Sequence, residues 1–226
     1  IYSGMYVAFA LAVLSFIGVW LIPGDFDIAA NMLAIAANDA IADYIFGVVP
    51  LFVLMGLLVS IAEIGRDTFE VANQLLRRIS GGLGVATVAA NAVFAAITGI
   101  SIASAAVFTK VAVPEMLRHG YTPRFSVGVV AGSSVLGMLI PPSLLLILYG
   151  ILTEKSIGDL FIAGIIPGIV LAIAYAVGIV LVAKFRPKLV YVDPSHKHVV
   201  QESADMGLGE IAAKLLPIAL LVLLVL

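Results

Sequence analysis

The sequence predicts an all-α polytopic membrane protein, and three observations lead to that prediction. Of its 226 residues, 62% are hydrophobic and only 12% are charged, and the mean hydropathy is +1.19. An average soluble domain is roughly half apolar and about a quarter charged, so a soluble enzyme, a nucleic-acid-binding protein and a disordered chain are excluded. The apolar residues fall into six stretches without charge, and two of these are interrupted by Gly, Ser, Thr or Pro.

The shorter stretches predict ordinary spans, because a transmembrane helix needs about 20 largely apolar residues. Such spans are expected at 5–22, 45–62 and 160–183, and the stretch 215–226 begins another. The segment 23–44 contains four Asp and no Lys or Arg. Since basic residues favour the cytoplasmic side, this segment is placed outside.

The stretches 81–109 and 125–153 are too long for simple spans. Each has 29 residues, about 43 Å as a straight helix against a hydrocarbon core of roughly 30 Å. Arginines flank the first stretch on both sides, which places both of its ends in the cytoplasm. Arms of about 24 Å at 82–97 and 102–117 favour a re-entrant hairpin with its tip inside the protein. A tight pair of full spans has the same charge pattern and stays open as the alternative.

The second long stretch carries a proline pair near its middle. Pro141 and Pro142 remove two backbone donors and restrict the residue before them, so a continuous helix through 140–143 is not expected. Carbonyl groups freed there need a neighbour, water or an ion. A proline kink without a ligand is the plainer interpretation of the same residues.

Three further segments are predicted on the cytoplasmic face. In 67–80, the apolar Phe69, Ala72, Leu75 and Ile79 recur at helical spacing, which indicates an interfacial helix. The polar stretch 187–209 is expected to be a linker with solvated histidines, followed by an interfacial helix at 210–215.

Polar groups inside the spans are few, and they suggest ion binding more than catalysis. Thr98, Ser101 and Ser104 surround the predicted tip, where hydroxyl and carbonyl oxygens suit Na⁺ and a helix N-terminus suits an anion. Close packing of small residues explains the same pattern without a ligand. Asn91 is expected to form an interhelical hydrogen bond, and Gly128/Gly132 and Gly164/Gly168 are spaced for helix packing. No Asp or Glu lies deep in a span, which disfavours a proton relay, and no motif of ATP hydrolysis or proteolysis occurs.

Two blocks of sequence carry a family resemblance. The first contains AAITGISIA at 95–103, VPEM at 113–116 and HGY at 119–121. The second contains GMLIPPS at 137–143, YGI at 149–151 and SIGDLFIAGIIPG at 156–168. Together they resemble the N-terminal half of the large membrane subunit (M subunit, DctM-like) of tripartite ATP-independent periplasmic (TRAP) transporters.

The resemblance implies one inverted-repeat half of an elevator-type secondary transporter, with a re-entrant helical hairpin and an interrupted helix. Residues 1–80 would form scaffold spans and the interfacial helix. Residues 81–186 would form the transport region, with the hairpin at 81–118, the interrupted helix at 124–152 and a span at 159–186. Residues 187–226 would be the cytoplasmic linker and the truncated start of the second repeat.

The implied function is that of a sodium-coupled, binding-protein-dependent importer of organic acids such as dicarboxylates or sialic acid, not that of an enzyme. Na⁺ is the implied coupling ion, and no cofactor is implied. The implied partners are a small membrane subunit, a periplasmic substrate-binding protein, the organic acid and membrane lipid, without nucleic acid. The implied location is the bacterial inner membrane. A non-coupled scaffold or channel-like membrane subunit is the alternative.

The resemblance also assigns site residues by position. The predicted sodium site comprises Gly99, Ser101, Ser104, Gly137, Pro141, Pro142 and Ser143, with backbone carbonyls contributing much of the coordination. Ile100 stands where many relatives have a second small polar residue, so coordination by a side chain is not expected there. The predicted substrate contacts are Thr98, Ser133 and Ser134.

Overall fold

The computed structural model describes residues 6–22, 24–42, 47–192 and 206–225. Every regular element within these ranges is a helix, apart from an isolated bridge between Tyr121 and Tyr191. The prediction of an all-α fold is therefore confirmed. The chain divides into two compact units, Ile1–Pro50 and Leu51–Leu226.

The first unit contains a pair of helices, α1 (Val7–Leu21) and α2 (Phe26–Ala42). Asp25 begins α2 as a cap, because its Oδ1 accepts hydrogen bonds from the backbone N–H groups of Asp27 at 2.8 Å and Ile28 at 3.3 Å. The Phe26 ring packs edge-on against Phe16 and Trp20 of α1, with centroids 5.3 and 6.0 Å apart. The segment 23–44, which is predicted to lie outside from its lack of basic residues, therefore contains the helix α2.

The second unit is a bundle in which successive helices pack on one central helix. Helix α3 (Val48–Ile61) crosses the boundary between the units. The remaining elements are α4 (Ile64–Leu76), α5 (Gly82–Thr98), α6 (Ser101–Arg118), α7 (Pro123–Ser134), α8 (Leu136–Leu139), α9 (Leu144–Thr153), α10 (Ile157–Phe185), α11 (Pro187–Val190) and α12 (Leu208–Val225).

Helix α5 lies at the centre of this unit. It contacts α4, α6, α7, α8, α10 and α12, and 13 of its 17 residues are buried. Its small side chains allow close approach: a Cβ on Gly84 would lie 3.0 Å from Ile179 of α10. The rings of Phe94 in α5 and Phe108 in α6 are fully buried and meet edge to face with centroids 5.6 Å apart. Such a pair contributes about 1 kcal/mol beyond its buried area.

Helix α4 only partly follows the predicted amphipathic pattern. It begins and ends a few residues before the predicted 67–80. Phe69 and Ala72 are buried as expected, but Leu75 is 65% exposed, and the polar Asn73 is buried. The periodicity was misleading here because an apolar side chain at a membrane surface can face lipid as favourably as protein.

The two ends of the α5–α6 pair lie at the same end of the bundle. The Gly81 N–H, at the start of α5, donates to the Tyr191 hydroxyl at 3.1 Å. After α6, Thr122 N–H donates to the Val190 carbonyl at 2.8 Å, and the Tyr121 and Tyr191 rings are 4.8 Å apart. The segment following α10 thus closes over both ends of the pair, where the charge pattern predicts a common side.

One described helix, α10, is long and apolar enough to cross a membrane by itself. The segments Pro123–Leu139 and Leu144–Thr153 reach that length together but are bent by 42° at their junction. Helices α1 and α3 have 15 and 14 residues, shorter than the apolar stretches from which spans are predicted.

The C-terminal part of the chain also departs from expectation. Helix α12 continues through Pro217, whereas an interfacial helix ending before this proline was predicted. Proline is tolerated inside membrane-protein helices, where neighbouring groups satisfy the freed carbonyl. The histidines of the predicted linker, His196 and His198, lie outside the described residues.

Candidate functional site

A two-residue connection joins α5 to α6. Thr98 ends α5, and its hydroxyl donates to the Phe94 carbonyl at 3.0 Å. Gly99 adopts a left-handed conformation with φ of 61°, and its N–H donates to the Ala95 carbonyl at 2.9 Å. Ile100 is extended, and α6 starts at Ser101. Glycine is favoured here because other residues rarely adopt a left-handed backbone.

The predicted break in the second long stretch lies at the proline pair. Helix α8 ends at Leu139, Ile140 is extended, the Pro141–Pro142 peptide bond is cis, and α9 starts after Ser143. The Ser143 hydroxyl donates to the Met138 carbonyl at 2.7 Å and accepts from Leu146 N–H at 3.5 Å. This one side chain therefore bridges the two sides of the break.

The tip of the α5–α6 pair packs directly on this break. The Leu144 N–H donates to the Gly99 carbonyl at 3.1 Å. A Cβ on Gly99 would overlap the Pro142 carbonyl oxygen and lie 3.3 Å from Ser143 Cα. A Cβ on Gly137 would lie 3.0 Å from the Ser101 nitrogen. Both glycines are therefore needed for the two backbones to approach this closely.

We call this contact, formed by residues 98–101 and 137–144, the tip–break junction. It contains six of the seven predicted sodium-site residues, of which five meet directly across the contact: Gly99, Ser101, Gly137, Pro142 and Ser143. Pro141 lies on the side of α10, with its Cγ 3.7 Å from the position of a Cβ on Gly164. The oxygen atoms of these residues are carbonyls and hydroxyls, without a carboxylate.

Ser104, the remaining predicted sodium-site residue, lies one turn into α6. It is fully buried, and its hydroxyl oxygen has no hydrogen-bond partner among the described residues. A buried polar oxygen without a partner is uncommon and costs about 1–3 kcal/mol. Its environment is therefore one in which an additional partner would be stabilising.

The three predicted substrate contacts are all buried. Ser133 accepts a hydrogen bond from Asn91 Nδ2 at 2.6 Å and donates to the Val129 carbonyl at 2.7 Å. Ser134 donates to the Ala131 carbonyl at 2.9 Å. Ser133 thus lies level with Asn91 on α5, about 10 Å along the helix from Thr98. The substrate role of these residues stays a prediction.

The interhelical hydrogen bond predicted for Asn91 is confirmed. The bond to Ser133 joins α5 to α7, and both side chains are almost completely buried. The Asn91 Oδ1 atom has no partner within the described part of the chain. The amide is therefore only half satisfied by this contact.

Glycines outside the junction allow α10 and α3 to pack closely against it. The sequence did not predict which residues these glycines contact. A Cβ on Gly164 would lie 2.7 Å from the Leu139 carbonyl oxygen, and one on Gly168 would lie 2.8 Å from Ile140 Cγ1. The predicted packing role of this pair is confirmed, and its partner is the break itself. On α3, Gly56 faces the tip, where a Cβ would be 3.5 Å from the Ile100 side chain.

A second polar feature lies between α4, α6 and α12. It is a cleft of about 670 Å³, lined by charged residues of all three helices. Lys214 of α12 forms a short ion pair with Glu70 of α4 and lies 3.5 Å from Asp67, and Arg66 Nε is 3.0 Å from Glu70. Burial alone would raise the pKa of Glu70, but the hydrogen bonds from Lys214 and Arg66 outweigh it and lower the pKa.

Comparison with known proteins gives a family match along the whole sequence. The family model described as "Tripartite ATP-independent periplasmic transporter, DctM component" matches residues 1–226. The C4-dicarboxylate TRAP transporter large permease protein DctM of Pseudomonas aeruginosa is 36% identical over 158 residues, which cover 70% of this chain and 37% of that protein.

Relatives named for other substrates match as well. The sialic acid TRAP transporter large permease protein SiaM of Vibrio cholerae is 33% identical over 82% of this chain and 43% of its own length. The ectoine TRAP transporter large permease protein TeaC of Halomonas elongata is 35% identical over 61% of this chain and 32% of its own length. The matches span about two fifths or less of these relatives. The resemblance carried by the hairpin and proline blocks is confirmed: the chain belongs to the DctM component family of tripartite ATP-independent periplasmic transporters.

Proposed function

We propose that this chain is part of the permease subunit of a sodium-coupled, binding-protein-dependent importer of organic acids. The observation that carries the proposal is the tip–break junction, where the Leu144 N–H to Gly99 carbonyl bond ties together two interrupted helical segments. Discontinuous helices that meet in this way build the ion and substrate sites of secondary transporters. The family membership supplies the transporter context.

The junction offers both kinds of electrostatic environment that such a site needs. Helices α5 and α8 end there, so carbonyl groups carrying partial negative charge converge, and these favour a cation. Helices α6 and α9 begin there, and their N–H groups favour an anion. Na⁺ held by carbonyl and hydroxyl oxygens next to an organic carboxylate would use both environments. The proposed sodium ligands are the carbonyls around Gly99 and Pro142 and the hydroxyls of Ser101, Ser104 and Ser143.

The buried Ser104 hydroxyl gives this assignment its most specific support. It has no partner among the described residues, so a cation would replace a missing hydrogen bond rather than compete with one. The proposed substrate contacts, Thr98, Ser133 and Ser134, donate to carbonyls of their own helices. Their remaining lone pairs can still accept a hydrogen bond from a substrate hydroxyl or amide.

The proposed mechanism is of the elevator type. The α5–α6 pair would be a re-entrant hairpin that moves with α7–α10, corresponding to residues 81–186, against a scaffold formed by residues 1–80. Gly56 of α3 meets the hairpin at Ile100, and Gly65 of α4 meets it at Val107, where a Cβ would clash at 2.5 Å. At these two positions no scaffold side chain stands between the backbones, so the hairpin and the scaffold can approach closely.

The proposed location is the bacterial inner membrane, as a multi-pass protein. A small membrane subunit and a periplasmic substrate-binding protein would complete the transporter. Relatives are named for C4-dicarboxylate, sialic acid, ectoine and isethionate. An organic acid is the proposed substrate of the transporter that contains this chain.

The test is uptake by the complete transporter reconstituted in proteoliposomes. With the binding protein present, radiolabelled C4-dicarboxylate or sialic acid should accumulate only under an inward sodium gradient. A potassium gradient of equal size controls for ionic strength, and omission of the binding protein controls for leak. Equal uptake with and without sodium would refute the coupling and favour a channel-like or scaffold role.

A further inference from the structure

An apolar groove lies away from the tip–break junction, between α7 and α10, with Val88 of α5 contributing to its lining. Its volume is about 330 Å³. Gly128 of α7 and Gly178 of α10 lie along it, and a Cβ at either position would have no atom within 4 Å. The Gly128/Gly132 pair, which has helix-packing spacing, therefore has open space at Gly128 in the described part of the chain.

The groove has a defined direction and depth. Arg124 and Val182 line one end of the groove. Gly132 and Tyr175 line the other end, where a Cβ on Gly132 would lie 3.5 Å from the Tyr175 ring. From Arg124 to Gly132 the helix rises about 12 Å. Half of a 30 Å hydrocarbon core is about 15 Å. The groove therefore has about the depth that a lipid of one leaflet occupies.

The lining of the groove suits an acyl chain. Apart from Arg124 and the Tyr175 hydroxyl, its lining side chains are apolar or absent. An acyl chain is a single row of methylene groups and can lie along such a groove. A floor of glycines gives it close contact along its length, as small residues do for neighbouring helices.

Charge at the mouth of the groove specifies the headgroup. Arg124 is exposed and forms no ion pair within the described part of the chain. It lies on the predicted cytoplasmic side, where anionic lipids create a negative surface potential. A guanidinium is well suited to bind a phosphate with two parallel hydrogen bonds.

We propose that this groove binds a phospholipid of the cytoplasmic leaflet, with one acyl chain along Gly128 and Gly178 and its phosphate on Arg124. An anionic headgroup such as that of phosphatidylglycerol is favoured, because it adds to the attraction at Arg124. The bound lipid would be a fixed part of the α7–α10 surface, separate from the tip–break junction.

The experiment is native mass spectrometry of the full-length protein carrying this sequence, titrated with 1-palmitoyl-2-oleoyl-phosphatidylglycerol. Gly128→Leu places a side chain in open space, so it should fold and fill the slot. Arg124→Gln removes the phosphate partner. Each should weaken the tightest lipid-binding event by about tenfold, while Arg124→Lys should weaken it less. Val127→Leu, at the neighbouring exposed position of the same helix, should leave it unchanged.

A photocrosslinker identifies the occupant directly. A benzophenone amino acid replacing Gly178 should give an adduct with the mass of a phospholipid when irradiated in membranes. An adduct with a peptide of this protein or of another protein would overturn the proposal in favour of a docked helix. Unchanged lipid binding in both Gly128→Leu and Arg124→Gln would also overturn it.

Discussion

The replacement Gly99→Ala tests the tip–break junction most directly. The new methyl group would meet the Pro142 carbonyl oxygen and would be 3.1 Å from its carbon. These are backbone atoms, so the tip must move away from the break. Alanine at a φ of 61° costs about 1–2 kcal/mol, and losing the Leu144 N–H to Gly99 carbonyl bond costs about 1 kcal/mol. The junction is therefore weakened by about 2–3 kcal/mol, roughly 30- to 150-fold.

The measurement is the thermal stability of the purified full-length protein in NaCl, with choline chloride as the reference salt. A ligand that binds only the folded state stabilises it in proportion to the logarithm of its concentration over Kd. We expect the sodium concentration needed for a given stabilisation to rise at least 30-fold in Gly99→Ala. Gly137→Ala, with a contact of 3.0 Å to the Ser101 nitrogen, is the milder variant and should show a smaller rise.

The matched control is Gly18→Ala, a glycine of α1 with no atom within 4 Å of its Cβ position. It should leave the response to sodium unchanged and slightly raise the stability, because alanine is the better helix former. If Gly99→Ala and Gly137→Ala both keep the sodium response of the unaltered protein, the junction is a packing contact and the sodium assignment is wrong.

Three further predictions follow from buried and charged groups. Ser104→Ala removes a hydroxyl without a partner, so the stability without sodium should be unchanged or rise by up to about 1 kcal/mol while stabilisation by sodium falls; a parallel loss of both would contradict the ligand role. Ser133→Ala leaves the Asn91 amide without its acceptor and should lower the free energy of unfolding by about 1–3 kcal/mol, measured by denaturant titration against Ser126→Ala as a control on the same helix. Glu70 has a lowered pKa when folded, so its ion pair with Lys214 stabilises the α4–α12 contact above the unfolded pKa of about 4.3 and is lost as the pH falls through the folded pKa. The protection factors of the α12 amides, which are corrected for the intrinsic pH dependence of exchange, should therefore fall at low pH, and Lys214→Met should remove that fall; an unchanged pH profile of protection in this variant would contradict the assignment.

The breaks in the helices could be predicted from single residues. Pro141 and Pro142 remove backbone donors wherever they stand, and the break is at that position. Gly99 allows a left-handed residue, and the α5–α6 pair turns there. Such breaks depend on the local backbone, and they can therefore be predicted without knowing which helices pack around them.

The partners of these breaks could not be predicted in the same way. The tip meets the break through a hydrogen bond between Gly99 and Leu144, and the pattern of apolar residues contains no signal for that pairing. In a soluble protein, periodicity shows which face is buried. Here both protein and lipid accept apolar side chains, so the exposed Leu75 of α4 and the continuous α12 through Pro217 could not be distinguished from the alternatives.

The central position of α5 has a consequence for the order in which the protein is assembled. The Asn91 amide in this helix finds its hydrogen-bond acceptor only on α7, 42 residues later in the chain. During synthesis α5 therefore emerges before the group that satisfies it, and an unpaired amide is costly in lipid. Helix α5 therefore reaches its buried position only after α7 and α10 have been synthesised. The centre of the second unit is thus completed late, by helices not yet made when α5 leaves the ribosome.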